Sequence, residues 1–264
     1  MQPHIVIFDS GIGGTTVLEH IQQKFPYAHY SYVMDNLFMP YGRLSVEVLK
    51  QRLHAKLLTI QSLHTNIDII VIACNTASTQ TLEFLRQQTT IPIVGVVPAI
   101  KPAALLSKKA QIGLLATPGT IQNVYTHSLI LEHAQKTKVN LYGSTRLVEL
   151  AEQKFWNGHV DEAKLRDECA KLAITQDNDV LVLGCTHFPI LKDELKQILG
   201  ETIQLIDSGL AIANRVESIL ENKQWGNDNS EPKKELVRYY ATAPINSNKL
   251  SVSEIKLIDP LFQN

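Results

Sequence analysis

Cysteine is scarce in this chain: Cys74, Cys169 and Cys185 are the three in 264 residues. The number is odd and the spacings are not those of metal ligands, which argues against a disulfide framework or a zinc site. Reduced thiols are the default that remains. Charge of one sign is also missing. Twenty-five basic residues stand against 26 acidic ones, a formal net charge of −1. No basic field is available for binding a phosphate backbone, so nucleic acid is not expected as a primary ligand. No apolar run approaches the roughly 20 residues that cross a bilayer. Met1-Gln2-Pro3-His4 runs straight into an apolar stretch, without the charged region and cleavage site of a secretory leader. The cytoplasm is therefore the expected compartment, with no membrane partner. The length exceeds the roughly 250 residues at which single cores stop growing, which predicts two domains.

What the chain does have is a repeat. Asp68-Ile69-Ile70-Val71-Ile72-Ala73-Cys74-Asn75-Thr76 recurs 111 residues later as Asp179-Val180-Leu181-Val182-Leu183-Gly184-Cys185-Thr186-His187. Each copy reads as a buried strand that delivers a thiol to its carboxyl end, where open parallel sheets place their ligand crevice. The correspondence extends further. Residues 5–8 lead into Asp9-Ser10-Gly11 much as residues 112–115 lead into Ala116-Thr117-Pro118-Gly119, and the strand at 91–97 precedes its counterpart at 202–208 by the same 111 residues. Duplication of a whole half is the better reading than chance similarity between Val- and Ile-rich buried strands.

Short apolar runs alternate with amphipathic stretches, the pattern of an α/β protein with a mainly parallel sheet. Strands are predicted at 5–8, 30–34, 68–73, 92–97, 112–116, 139–142, 179–184 and 203–206. Helices are predicted at 14–25, 45–64, 77–88, 119–134, 145–154, 160–175 and 189–199. A polar stretch at 222–234 reads as a loop, and the alternating run at 236–241 as an edge strand returning to the first half. The expected fold class is α/β: two pseudo-symmetric, open, mainly parallel-sheet domains with helices on both faces and the active site in the cleft between them. The expected division is 1–97 plus 210–264 against 98–209.

Asp9-Ser10-Gly11-Ile12-Gly13-Gly14 lies between a strand and a helix, where glycines allow close backbone approach and exposed amides attract anions. It is not a dinucleotide fingerprint, because Thr16 stands where the third glycine would be, and there is no Walker lysine. A tight turn with Asp9 or Ser10 capping the helix would explain the same residues. Cys74 and Cys185 each stand at a strand-to-helix junction, a setting expected to lower a thiol pKa. A lone cysteine is more often a small core residue. The polar neighbours Asn75 and Thr76, or Thr186 and His187, are ones an inert core position would not need. Cys169 lacks such neighbours and reads as structural. His187 lies two residues from Cys185, close enough to hold or supply a proton. Glu152 falls on a helix of the second half, facing either the cleft or solvent. Pro40-Tyr41-Gly42-Arg43 forms a turn that can offer amides to a carboxylate. Facing thiols point to proton transfer on both faces of one carbon.

Taken together, Phe8-Asp9-Ser10-Gly11-Ile12-Gly13-Gly14, Pro40-Tyr41-Gly42, Ala73-Cys74-Asn75-Thr76-Ala77-Ser78, Ala116-Thr117-Pro118-Gly119-Thr120 and Gly184-Cys185-Thr186-His187-Phe188-Pro189 resemble glutamate racemase, of the cofactor-independent amino-acid racemase superfamily. The motifs occur in the family's order over residues 5 to about 210. Ser144-Thr145 departs from the pattern, where the family usually has Cys-Pro. The resemblance implies two-base racemisation of L- and D-glutamate without pyridoxal phosphate or metal, supplying D-glutamate for peptidoglycan synthesis. By family analogy Cys74 deprotonates D-glutamate and Cys185 L-glutamate, with Asp9 supporting Cys74, His187 supporting Cys185, and Glu152 at the family's acidic position. Asp9, Ser10, Pro40, Tyr41, Gly42, Asn75, Thr76, Thr117, Thr120, Thr186 and His187 would line the substrate together with the two cysteines. A homodimer is a further implication. Regulation by a cell-wall precursor through an extended N-terminus is not expected, since four residues precede the first strand. Three other readings compete. Aspartate racemase is disfavoured by His187-Phe188-Pro189 and Ser78. A cysteine hydrolase activated by His187 needs only one nucleophile. A non-catalytic binding protein would not need both thiols.

Overall fold

The computed structural model describes residues 2–221, 237–245 and 255–258. Ten strands are assigned among these residues: β1 (His4–Asp9), β2 (His29–Met34), β3 (Ile69–Ile72), β4 (Ile93–Gly95), β5 (Gln111–Ala116), β6 (Lys138–Gly143), β7 (Val180–Leu183), β8 (Gln204–Ile206), β9 (Arg238–Ala241) and β10 (Ile255–Leu257). Ten α-helices accompany them: α1 (Thr15–Lys24), α2 (Val46–Leu63), α3 (Asn75–Arg86), α4 (Ile100–Leu106), α5 (Pro118–Ile121), α6 (Val124–His133), α7 (Arg146–Asn157), α8 (Glu162–Leu172), α9 (Lys192–Leu199) and α10 (Gly209–Leu220). They build two domains on two sheets, ordered β10-β9-β2-β1-β3-β4 and β6-β5-β7-β8, with every strand pair parallel.

The order β2-β1-β3-β4 in one sheet is the order β6-β5-β7-β8 in the other, which is the duplication expressed in three dimensions. Parallel strands covered on both faces must be apolar on both. In β1 and β3, Ile5, Ile7, Ile69 and Val71 enter one core with α1 and α10. Their neighbours Val6, Phe8, Ile70 and Ile72 enter the opposite core with α2 and α3. Strand β7 behaves alike: Leu181 and Leu183 pack with α7, α8 and α9, and Val180 and Val182 with α4. Each such side chain, fully removed from water, stabilises by roughly 1.5–3 kcal/mol.

Several expectations need correction. The stretch 119–134 is two helices, because Asn123 leaves helical geometry and its side chain accepts from the Tyr125 amide as the cap of α6. The stretch 189–199 starts as a 3₁₀ turn over Phe188–Leu191 before α9. Helices α4 and α10 were not anticipated. Pro102 near the start of α4 obscured a seven-residue helix, whereas Ile212, Ala213, Val216 and Leu220 form a helical stripe that was there to be read. The run expected as an edge strand is β9, and it is interior, since β10 covers it. The loop expected at 222–234, and position 236 of that strand, lie outside the described residues. Helix α4 packs against the second sheet and α10 against the first. Where the two crossings meet, Ser208 Oγ donates to the Val97 carbonyl at 2.6 Å, between residues 111 apart.

Candidate active site

The site forms where the carboxyl ends of β1, β3, β5 and β7 meet across the two domains. Asp9 is the last residue of β1 and is fully buried. Its Oδ1 accepts the Gly11 amide at 2.9 Å, which folds the loop back on the strand end, and its Oδ2 accepts from Thr186 Oγ1 of the other domain at 2.9 Å. Burial raises the Asp9 pKa, and the His187 charge and these two donors only partly offset it. Ser10 Oγ lies 3.9 Å from Cys74 Sγ.

Cys74 stands two residues beyond the end of β3 and is the N-cap of α3. The expectation that this position lowers its pKa is overturned for the thiol as it stands here: burial and the nearby Asp9 carboxylate raise it. The Ala77 amide at the helix start does act in the expected direction, but one amide does not outweigh desolvation and a like charge. Asn75, Thr76 and Ser78 follow, all buried. Thr76 Oγ1 meets Thr117 Oγ1 at 2.8 Å and Thr120 Oγ1 at 3.2 Å across the interface. Asn75 Oδ1 is buried with no protein partner. Ser78 Oγ donates to the Ile72 carbonyl and accepts the Val96 amide, tying α3 to the sheet.

Cys185 stands in the equivalent place after β7, with His187 Nδ1 3.9 Å from its sulfur. The other ring nitrogen of His187 pairs with Glu152 Oε1 at 2.8 Å. Burial alone would lower the His187 pKa, but Cys185 and Glu152 outweigh it and hold the imidazole well above its ordinary value. Glu152 reaches the cleft from α7, only 13% exposed. It also accepts the Ile12 amide at 2.8 Å and the Trp156 indole N–H at 2.6 Å. Burial raises its pKa, yet His187 and these donors together bring it below the ordinary value. The glycine-rich loop must pass against this pair: a Cβ on Gly13 would sit 2.5 Å from His187 Nδ1. Ile12 and Gly13 belong to the glycine-rich motif read from the sequence, whereas Trp156 was not singled out, although it stands one helical turn beyond Glu152.

The loop after β2 supplies the last wall. Tyr41 is buried and donates to Asp35 Oδ2 at 2.6 Å. A Cβ on Gly42 would sit 2.7 Å from Thr117 Cβ, so only glycine lets this loop touch the second domain. Pro40 caps the short turn that holds both. The expected site residues thus fall at strand ends, in loops and in the first turns of α3 and α5, with Glu152 alone coming from the middle of a helix, α7, whereas Cys169 is buried in α8 within the second domain's core.

Two parallel-sheet domains with a thiol at the end of the corresponding strand in each define the class: a two-domain α/β protein of the amino-acid racemase type. The chain matches the model of the Asp/Glu/Hydantoin racemase family over residues 14–216, and it belongs to that family. It is 52% identical over 221 residues to glutamate racemase of Shewanella denitrificans, covering 84% of this chain and 79% of that one. Among solved structures, Escherichia coli glutamate racemase, in complex with L-glutamate and the activator UDP-MurNAc-ala, superposes with a TM-score of 0.89. It shares 36% identity, with 99% of this chain and 100% of that one covered. The Francisella tularensis glutamate racemase in complex with D-glutamate gives a TM-score of 0.76 at 27% identity, each chain covered over 98%.

Proposed function

We propose that this enzyme interconverts L- and D-glutamate by two-base proton transfer, with Cys74 and Cys185 on opposite faces of the substrate's α-carbon. One observation carries the reading: two copies of one strand–cysteine junction meet at one interface, crossed by Thr186 to Asp9 on one side and Thr76 to Thr117 on the other. His187 Nδ1, 3.9 Å from the Cys185 sulfur, is placed to exchange a proton with it. Cys74, between burial and Asp9, keeps its proton. In the L-to-D direction the Cys185 thiolate takes the α-proton, and the C–H electron pair remains on the substrate as the carbanion. The Cys74 thiol then protonates the opposite face and is left as the thiolate. The D-to-L direction runs in reverse, with Asp9 positioned to share the Cys74 proton. Glu152 holds His187 in register.

The buried, unpartnered Asn75 Oδ1 suits a substrate ammonium, since a buried acceptor without a donor is costly. Ser10, Pro40, Tyr41, Gly42, Thr76, Thr117, Thr120 and Thr186 surround the remaining polar groups. The α-C–H is a very weak acid, so the carbanion must form in a site closed to water. Closure of 98–209 against 1–97 and 210–264 would provide that. In this reading the enzyme needs no cofactor, supplies D-glutamate for peptidoglycan in the cytoplasm, and works as a homodimer. Among the described residues no helix is long and apolar enough to cross a membrane. Chiral chromatography after incubation with L-glutamate or L-aspartate, no cofactor added, tests the substrate. D-glutamate is expected; D-aspartate with no D-glutamate would overturn the assignment.

A further inference from the structure

Arg43 ends the same short turn, Tyr41–Arg43, that carries Tyr41 and Gly42. Its guanidinium crosses to α7 of the other domain and donates to Glu149 Oε1 at 2.8 Å and to Thr145 Oγ1 at 3.4 Å. Glu149 is held from its own side by Arg146. Three residues further along the same helix, Glu152 binds the Ile12 amide and His187. Residues three apart share a helix face, so α7 grips the first domain at two points. One grip holds the glycine-rich loop and the other the turn of Tyr41 and Gly42.

We infer that the Arg43–Glu149 pair, with Thr145, is a latch that holds the domains closed over the substrate, making Arg43 and Glu149 positioning residues of the racemase. The inference rests on the functional reading above. The pair is half open to water, with 57% of the Arg43 side chain and 34% of the Glu149 side chain exposed. Such pairs are weak and screened by salt, which suits a contact that must break in each turnover. Losing it lowers the closed population and weakens substrate binding, while the chemistry of the closed complex is unchanged.

A double-mutant cycle tests this. Arg43→Gln and Glu149→Gln should each raise KM for glutamate about threefold to fivefold, with kcat changed less than about twofold. The double variant should be no worse than either single, and Arg43→Lys should recover part of the loss. The KM of the unaltered enzyme should rise between 0.1 and 0.5 M sodium chloride, and that of the double variant should not. Unchanged KM in both singles, or losses that add in the double, would overturn the latch. Backbone hydrogen exchange at 36–43 and 146–157, measured without substrate, should quicken in each single variant. Unchanged exchange there contradicts the latch even if glutamate proved not to be the substrate, in which case the unaltered enzyme would show no turnover.

Discussion

Cys74 and Cys185 occupy corresponding positions in unlike electrical surroundings. Cys74 faces Ser10 and the Asp9 carboxylate, and Cys185 faces an imidazole whose pKa Cys185 and Glu152 hold well above its ordinary value. Cys74→Ala and Cys185→Ala should each lower racemisation at least about a hundredfold, the order of one acid–base group. Cys169→Ala should leave it nearly unchanged; polarimetry on the three purified variants compares them. The His187–Glu152 pair also makes a stability prediction with a definite sign. His187 has a raised folded pKa, so its contribution is complete below about 6.5 and is lost as pH rises through the folded value. Glu152 has a lowered one, so its contribution is present above 4.5 and is lost as pH falls through the folded value. In urea unfolding, the stability gap between the unaltered enzyme and His187→Gln should be widest between about pH 4.5 and 6.5 and narrow as pH falls through the folded Glu152 value or rises through the folded His187 value.

At the scale of elements, the turn of Tyr41 and Gly42 is built on a buried ion pair. Asp35 accepts from Arg52 through both oxygens, from Tyr41, and from Thr242, which follows β9. Arg52→Ala would leave the fully buried Asp35 uncompensated, a loss of about 3–5 kcal/mol, measurable as a lower urea midpoint. Neither Asp35 nor Arg52 announced this in the sequence, since they stand 17 positions apart, one after β2 and the other inside α2. The strands and the two cysteine junctions were legible because duplication repeats a buried β-branched run that ends in polar residues. The role of α7 was legible only in part. Glu152 is one of several acidic residues on an amphipathic helix, and only the packing of α7 on Phe188–Leu191 and the glycine-rich loop turns it inward. Strand β10 escaped because three residues, two of them exposed, carry no alternation to read.

At the scale of the molecule, the two halves exchange their last helices, α4 to the second sheet and α10 to the first. The two crossings meet at Ser208 and Val97, where a rotation of one domain on the other has its shortest lever. In the proposed mechanism, closure around that point would bring the two thiols to opposite sides of one carbon, for proton transfer between unlike donors. Thiol protons exchange with solvent, so two bases must deliver a solvent hydrogen to the product, whereas a single base can return the one it removed. The direct measurement is the early time course of L-glutamate racemisation in deuterium oxide, read by proton NMR and chiral mass analysis. The first D-glutamate formed should carry deuterium at the α-carbon while the unreacted L-glutamate keeps its proton. D-glutamate that retains the original α-proton would contradict the two-base mechanism.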